Sequence, residues 1–398
     1  MRMLKFIGGT LLIVGTSIGA GILALPVTTS QSGFIDSSLM LLFCWLIMTL
    51  SALMILEINL WFPEDSNMIS MAKHTLGLPG QVIAWISYIL LLYALLCAYI
   101  SGGTDVFGSL LGLMGIKTPA WLNTLLFTGI LGSVVYFGIT ATDYVNRGLM
   151  VIKLSTFILL TGLVVTQVTG SNLVQGEVRY LPPAIMVMIT SFGYATIIPS
   201  LRSYFKSDSR KLRNMIILGS FIPLLCYIAW DFAILGSLPL NGPNGLVGIL
   251  NSGHVTSELM SSVQNVINSS VVTLLSRIFT SICVLTSFLG VALCLTDFLA
   301  DGFNIVKSSW GRTRLAALTF LPPVVIVLFF PGMFIKALSY AGICCVVLLV
   351  ILPALMMWNG IKRRNLVPQF SLLANPILLG LSLLVGVGLL GLGTVQTF

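Results

Sequence analysis

The sequence predicts an all-α polytopic membrane protein of about eleven transmembrane helices. Three observations carry that prediction. Of 398 residues, 57% are hydrophobic and only 8% are charged, whereas soluble domains carry about 25% charged residues. The apolar residues fall in runs of about 20, the length a helix needs to cross a bilayer. The Lys and Arg residues gather on one side once those runs are alternated across a membrane.

In chain order the runs lie at approximately 6–29, 38–61, 81–103, 120–140, 147–168, 181–203, 212–236, 270–299, 313–330, 334–357 and 373–395. With the N-terminus in the cytoplasm, sixteen of the twenty Lys and Arg residues face the cytoplasm, including Arg210, Lys211, Arg213, Lys362, Arg363 and Arg364. Lys117, Arg179, Arg277 and Lys336 face the other side. An odd number of spans puts the C-terminus on the periplasmic side. The net charge of +8 then reflects basic cytoplasmic loops and not a nucleic-acid partner. The connection at 237–269, rich in Gly, Asn and Ser, is expected to hold a short helix. The seven Cys are scattered along apolar runs without metal-ligand or disulfide spacing. They read as small buried hydrophobes, and neither a metal nor another cofactor is expected. Two His, no HExxH and no catalytic pair of intramembrane carboxylates argue against an enzyme. The chain reads as a single transmembrane transporter domain, 1–398.

The first run contains GTSIGAGILALP, residues 15–26. Each interior Gly costs about 1 kcal/mol relative to Ala in a helix. Backbone freed at membrane depth must find partners in protein, water or a ligand. The sixth run contains ITSFGYATIIPS, residues 189–200. Thr16-Ser17-Ile18-Gly19 matches Thr190-Ser191-Phe192-Gly193, and a Pro follows each, at Pro26 and Pro199. Two interrupted spans five helices apart are the pattern of an inverted repeat, because an odd number of spans turns the second copy over. Such paired interruptions point to a transporter's binding site. The repeats would be 6–168 and 181–357, with an extra helix at 373–395. Gly15 and Gly19 also read as a GxxxG packing seam.

A helix broken in mid-membrane presents unpaired N–H groups and a positive dipole end. That end suits a carboxylate, and Gly19, Ala20 and Gly21 leave room for one. Carbonyls ending the first half would hold an ammonium group. The candidate substrate-binding residues are therefore Thr16, Ser17, Ile18, Gly19, Ala20 and Gly21 in the first break. In the second they are Ser191, Phe192, Gly193 and Tyr194.

These motifs, with SFLGVALCLTDFLAD at 287–301, YALLCAYISGG at 93–103 and TFLPPVVIVLFFP at 319–331, resemble the bacterial aromatic amino acid permeases. That family comprises tyrosine- and tryptophan-specific transport proteins, and the likeness favours the tyrosine-specific branch. It covers the whole chain in order. The family is similar to the amino acid–polyamine–cation superfamily. The resemblance implies a LeuT-like fold of two inverted five-helix repeats plus one helix. It implies proton symport of an aromatic amino acid into the cell by alternating access, with tyrosine favoured over tryptophan or phenylalanine. The expected setting is the bacterial cytoplasmic (inner) membrane. A sodium-coupled symporter, or an exchanger of another neutral amino acid, is the alternative. The oligomeric state is not indicated.

The resemblance also implies roles for particular residues. Lys153 would take the place that a sodium ion holds in sodium-coupled relatives and face the carbonyls near Gly21 and Ile22; alternatively it snorkels to the cytoplasmic surface. The third span would line the substrate site, so Tyr93 is a candidate to bind the substrate carboxylate, whereas Tyr99 reads as an interfacial belt residue. Phe192 and Tyr194 are the expected ring neighbours of an aromatic side chain, with Phe288 a further candidate. Asp231 departs from the family's pattern, which has Gln there. A carboxylate in a span costs about 2.5–3.5 kcal/mol on insertion scales and is usually functional. It is the second candidate for proton coupling, or else it sits near the outer surface. Glu57 and Asn59 read as structural or gating residues. Asp297 and Asp301 share a helix face and read as an inner-gate network with Lys307 and Arg312, or as a solvated helix end. Asp105, with Gly102 and Gly103, is expected to end the third span.

Overall fold

The structure, a computed structural model, describes residues 2–64, 66–137, 139–205, 208–242, 245–306 and 308–397, with backbone alone at 2–5, 139–147, 203–205 and 397. Lys307 lies outside the described residues. Among these residues the chain is helical, with no strand.

Helix α1 (Arg2–Ser17) and α2 (Gly21–Thr29) form a broken pair bent by 52°. Helix α3 (Phe34–Leu60) follows a turn at Gly33, whose φ of +82° is one that L side chains rarely adopt. Helix α4 (Met68–Leu113) opens on a capping box between Asn67 and Ser70. It kinks where Gly77 takes φ +77° two residues before Pro79. It then runs on past Asp105 to Leu113, two turns beyond the expected end. The Gly102-Gly103 pair does not break it. Phe334 packs over Gly102 and Phe127 over Gly103, so the two glycines admit rings instead.

Helices α5 (Ala120–Tyr136) and α6 (Ile139–Val165) follow, then the one-turn α7 (Gly170–Leu173). Helix α8 (Pro182–Ser191) ends in a 3-10 turn over Gly193–Ile197, and α9 (Ile198–Phe205) completes a second interrupted span. Helix α10 (Ser209–Ser237) is capped by Asp208, whose side chain accepts from Lys211 N. The 237–269 connection holds two helices where one was expected, α11 (Leu246–Ser252) and α12 (Val255–Ile267). Helices α13 (Ser270–Gly302) and α14 (Ser309–Phe329) come next. Helix α15 (Phe334–Cys345) continues through a π turn into α16 (Leu352–Arg364), and α17 (Pro376–Thr397) closes the chain.

Among the described residues nine helical segments are long and apolar enough to cross a membrane, with α8–α9 and α15–α16 counted as one each, and the bent α1–α2 pair makes a tenth. Helix α5 is apolar and 17 residues long, at the lower limit for a span. Each of the eleven apolar runs falls on one of these segments. Large apolar side chains are turned outward, Leu39 61% and Leu384 73% exposed, as lipid-facing helices require. The protein is a multi-pass membrane protein.

The packing has two groups. Helices α1 and α2, α3, α8 and α10 pack on one another through the pairs α1–α10, α2–α8, α3–α8 and α3–α10. Helices α4, α5, α13 and α14 form a second group through α4–α5, α4–α13, α4–α14, α5–α13, α5–α14 and α13–α14. Helix α6 lies along α13 and α10, and α15 lies along α4 and α8.

Candidate functional site

Helix α1 stops because its backbone turns at residues 18–20. Gly19 N donates to Ser17 O at 2.8 Å in place of an α-helical bond. The second half starts at Gly21, and the amide of Ala20 donates to Ser287 Oγ of α13 at 2.9 Å. A serine hydroxyl thus occupies the position where a carboxylate would meet the positive end of α2. Neither glycine could carry a side chain in this arrangement. A Cβ at Gly19 would lie 2.6 Å from Ser287 Oγ, and one at Gly21 would lie 2.8 Å from Ser191 Oγ. The second of these contacts brings the two breaks side by side.

Two side chains from other helices donate to carbonyls at the break. Lys153 of α6 is 1% exposed. Its Nζ donates to Ile18 O at 2.6 Å and to Thr286 Oγ1 at 3.4 Å. The carbonyl is that of Ile18, not Gly21 or Ile22, because residues 18–20 are the ones turned out of the helix. The ammonium does not snorkel, and it forms no ion pair among the described residues. Tyr227 of α10 is fully buried. Its Oη lies 2.6 Å from Ser17 O and 3.0 Å from Ser191 O, so one O–H serves the ends of both α1 and α8.

Asp231 lies one turn further along α10 and is also fully buried. Thr29 Oγ1 donates to its Oδ2 at 3.2 Å, and its Oδ1 has no hydrogen-bond partner among the described residues.

A cavity of about 280 Å³ opens beside the breaks. Thr16, Thr190, Gly193, Thr286 and Ser287 line it at the break, and Tyr88, Leu92, Leu95 and Tyr99 line it along α4. A second cavity, of about 310 Å³, continues from Tyr88, Thr196 and Cys294 toward Asp297 and Asp301. A third cavity, of about 590 Å³, is lined by Asp105, Lys117, Trp121, His254 and Glu258. There Asp105 accepts from Thr256 Oγ1 at 2.6 Å, Ser257 Oγ at 2.7 Å and Ser257 N at 2.9 Å, with His254 Nδ1 at 3.1 Å.

Of the sequence candidates, Thr16 and Gly193 line the central cavity, and Ser17, Ile18, Gly19, Ala20, Gly21 and Ser191 form the breaks behind it. Four aromatic candidates lie elsewhere. Tyr93 Oη donates to Leu318 O at 2.7 Å, on the α14 side. Tyr194 Oη donates to Thr49 Oγ1 at 3.2 Å, toward α3. The Phe192 ring meets Tyr227 edge-on at 5.3 Å. Phe288 stacks on Phe320 and meets Phe127 edge-on. It directly follows Ser287, so a rotation of about 100° along α13 turns it off the cavity face. Tyr99, read as a belt residue, is buried and lines the cavity. Ser287, Thr286 and Tyr227 were not singled out from sequence. The adjacent hydroxyls of Thr286-Ser287 in an apolar run, and Tyr227 four residues before Asp231, are the signals that mark them.

Glu57 and Asn59 hold chain segments together. Glu57 accepts the amides of Gln369 at 2.7 Å and Phe370 at 3.0 Å. Asn59 O accepts from the Arg202 guanidinium. Arg312 sits 5.5 Å over the ring of Tyr136.

A family model described as the tryptophan/tyrosine permease family matches residues 2–392. The chain is 35% identical over 373 residues to tyrosine-specific transport system 1 of Haemophilus influenzae, covering 92% of this chain and 91% of that protein. It is 34% identical over 390 residues to the tryptophan-specific transport protein of Shigella flexneri, covering 96% and 93%. It is 30% identical over 397 residues to glutamine transporter 2 of Aliivibrio fischeri, covering 97% and 98%.

Proposed function

The chain belongs to the tryptophan/tyrosine permease family, and on that premise we propose that it imports an aromatic amino acid by proton symport with alternating access. Tyrosine is the favoured substrate, ahead of tryptophan and phenylalanine. The setting is a bacterial cytoplasmic membrane, with the N-terminus inside and the C-terminus outside. The substrate carboxylate would take the Ala20 amide from Ser287, and its ammonium would face the spare carbonyl lone pairs at the ends of α1 and α8.

The observation that supports coupling is the buried Lys153 ammonium on Ile18 O. Protonated, it makes a charge-assisted hydrogen bond to the broken helix; neutral, it loses that charge. A proton therefore changes the hold of α6 on the element that binds substrate, and both ligands bias one equilibrium. The central cavity shares Tyr88, Thr196 and Cys294 with the cavity that reaches Asp297 and Asp301, which supports an inward-facing arrangement.

The LeuT-like inverted repeat also has support in the packing. Number the segments by span and exchange each span with the one five later. The pairs α1–α10 and α8–α3 interchange, as do α4–α5 and α13–α14, α4–α14 and α13–α5, and α6–α13 and α15–α4.

The test is uptake into proteoliposomes under an imposed pH gradient, with tyrosine, tryptophan, phenylalanine and glutamine as competitors. Accumulation should collapse with a protonophore and survive removal of sodium. Uptake that requires sodium would reject proton symport. Glutamine is included because a relative carries that name; competition by glutamine alone would reject the aromatic substrate.

A further inference from the structure

We propose that Tyr88 and Cys294 read a polar group on the substrate's ring and so favour aromatic amino acids bearing an O–H or N–H over phenylalanine. This rests on the central cavity being the substrate site.

The cavity has two polar ends. One is the helix break, with Ser287 and the Ala20 amide. The other is Tyr88 Oη, 3.4 Å from Cys294 Sγ, where the central cavity meets the inner one. From Ser287 to Cys294 is two turns of α13, about 10 Å of rise. That span suits an aromatic amino acid lying lengthwise, with its carboxylate at the break. Leu92, Leu95 and Val291 wall the middle, where a ring would lie. Tyr88 is held in place by Phe298, with ring centroids 4.9 Å apart.

A thiol is a weak hydrogen-bond partner. A substrate phenol would be a better partner for Tyr88 Oη, and an indole N–H could donate to it. Phenylalanine offers neither and leaves Tyr88 on Cys294. A site that strands a buried polar group rejects the lacking analogue by 10⁴ or more. Here the thiol remains as a fallback, so the discrimination should be only about tenfold, the scale of one net hydrogen bond.

The experiment measures inhibition constants of tyrosine, tryptophan and phenylalanine against labelled tyrosine uptake in proteoliposomes of the full chain, normalised to protein content. Wild type should favour tyrosine and tryptophan over phenylalanine about tenfold. Tyr88→Phe should bring that ratio near one. Cys294→Ala should raise it severalfold, because Tyr88 then has no fallback partner when phenylalanine binds; this second variant also decides the matter if Tyr88→Phe does not fold. A wild-type ratio near one, an unchanged ratio in Tyr88→Phe, or no rise in Cys294→Ala overturns the assignment while aromatic transport stands. If none of the three competes, the substrate reading itself has failed and this assignment falls with it.

Discussion

Lys153 and Tyr227 reach the same turn of backbone from two different helices, and each donates to a carbonyl at the α1 break. The lysine was singled out through the family resemblance, as a lone charge in an apolar run. The tyrosine was not, because hydroxyls are common in spans and its role depends on which helices face one another. The same limit explains the aromatic candidates. Sequence gives a residue's depth along a helix more readily than its bearing around it. Tyr88 and Tyr99 are eleven residues apart and so nearly eclipsed on α4, whereas Tyr93 is about 140° round from Tyr88. Two predictions belong here. Lys153→Arg, like Lys153→Ala, should lose accumulation against a gradient, since guanidinium stays protonated in this pH range; unchanged pH-dependent accumulation by either variant would move the coupling role to Asp231. Tyr227→Phe removes the hydroxyl from Ser191 O and leaves Ser17 O with the Gly19 amide alone, at about 1–3 kcal/mol for an unsatisfied group. It should lower the melting temperature in detergent and reduce uptake, and a variant matching wild type in both would show that the bridge is dispensable.

The spans themselves were legible because a bilayer imposes a length and a composition on them. Their ends were less so. Gly102-Gly103 reads as a breaker, yet these glycines admit the rings of Phe334 and Phe127 and α4 continues. Gly19 and Gly21 do mark a break, and both face a serine hydroxyl too close for any Cβ. Gly19→Leu and Gly21→Leu should therefore insert in the membrane but lose uptake, since a side chain would fill the carboxylate's place and separate α2 from α8. Wild-type affinity in either would assign these glycines to packing alone. Glu57 makes a prediction of a different kind. Its carboxylate accepts two amides from the segment leading to α17, and each such charged bond contributes about 1.5–3 kcal/mol. Glu57→Ala should expose residues 365–375 to limited proteolysis at protease levels that leave wild type intact.

At the scale of the whole molecule, the first turn of α12 is fastened to α4 through Asp105. His254 sits just before that helix, with its ring 63% exposed and Nδ1 on the same carboxylate. The hydrogen bond that the ring donates to Asp105 raises the His254 pKa above its ordinary 6.5, against a smaller opposing effect of burial, and the charges of Asp105 and Glu258 act in the same upward direction. Lys117 lines the same cavity as a like charge. The sign follows from the direction of the shift. A histidine whose pKa is raised in the docked state adds stability that is fully present below the undocked value, near 6.5, and is lost as pH rises through the docked value. The ring is largely exposed, so solvent screening keeps the effect modest. Docking of α12 should therefore be tighter at pH 6 than at pH 8. Hydrogen exchange of the amides at 255–263, corrected for intrinsic rates, should be slower relative to that expectation at the lower pH. His254→Gln should abolish the difference while leaving the Asp105 bonds to Thr256 and Ser257 in place. If the pH dependence survives in His254→Gln, another group in that cavity carries it.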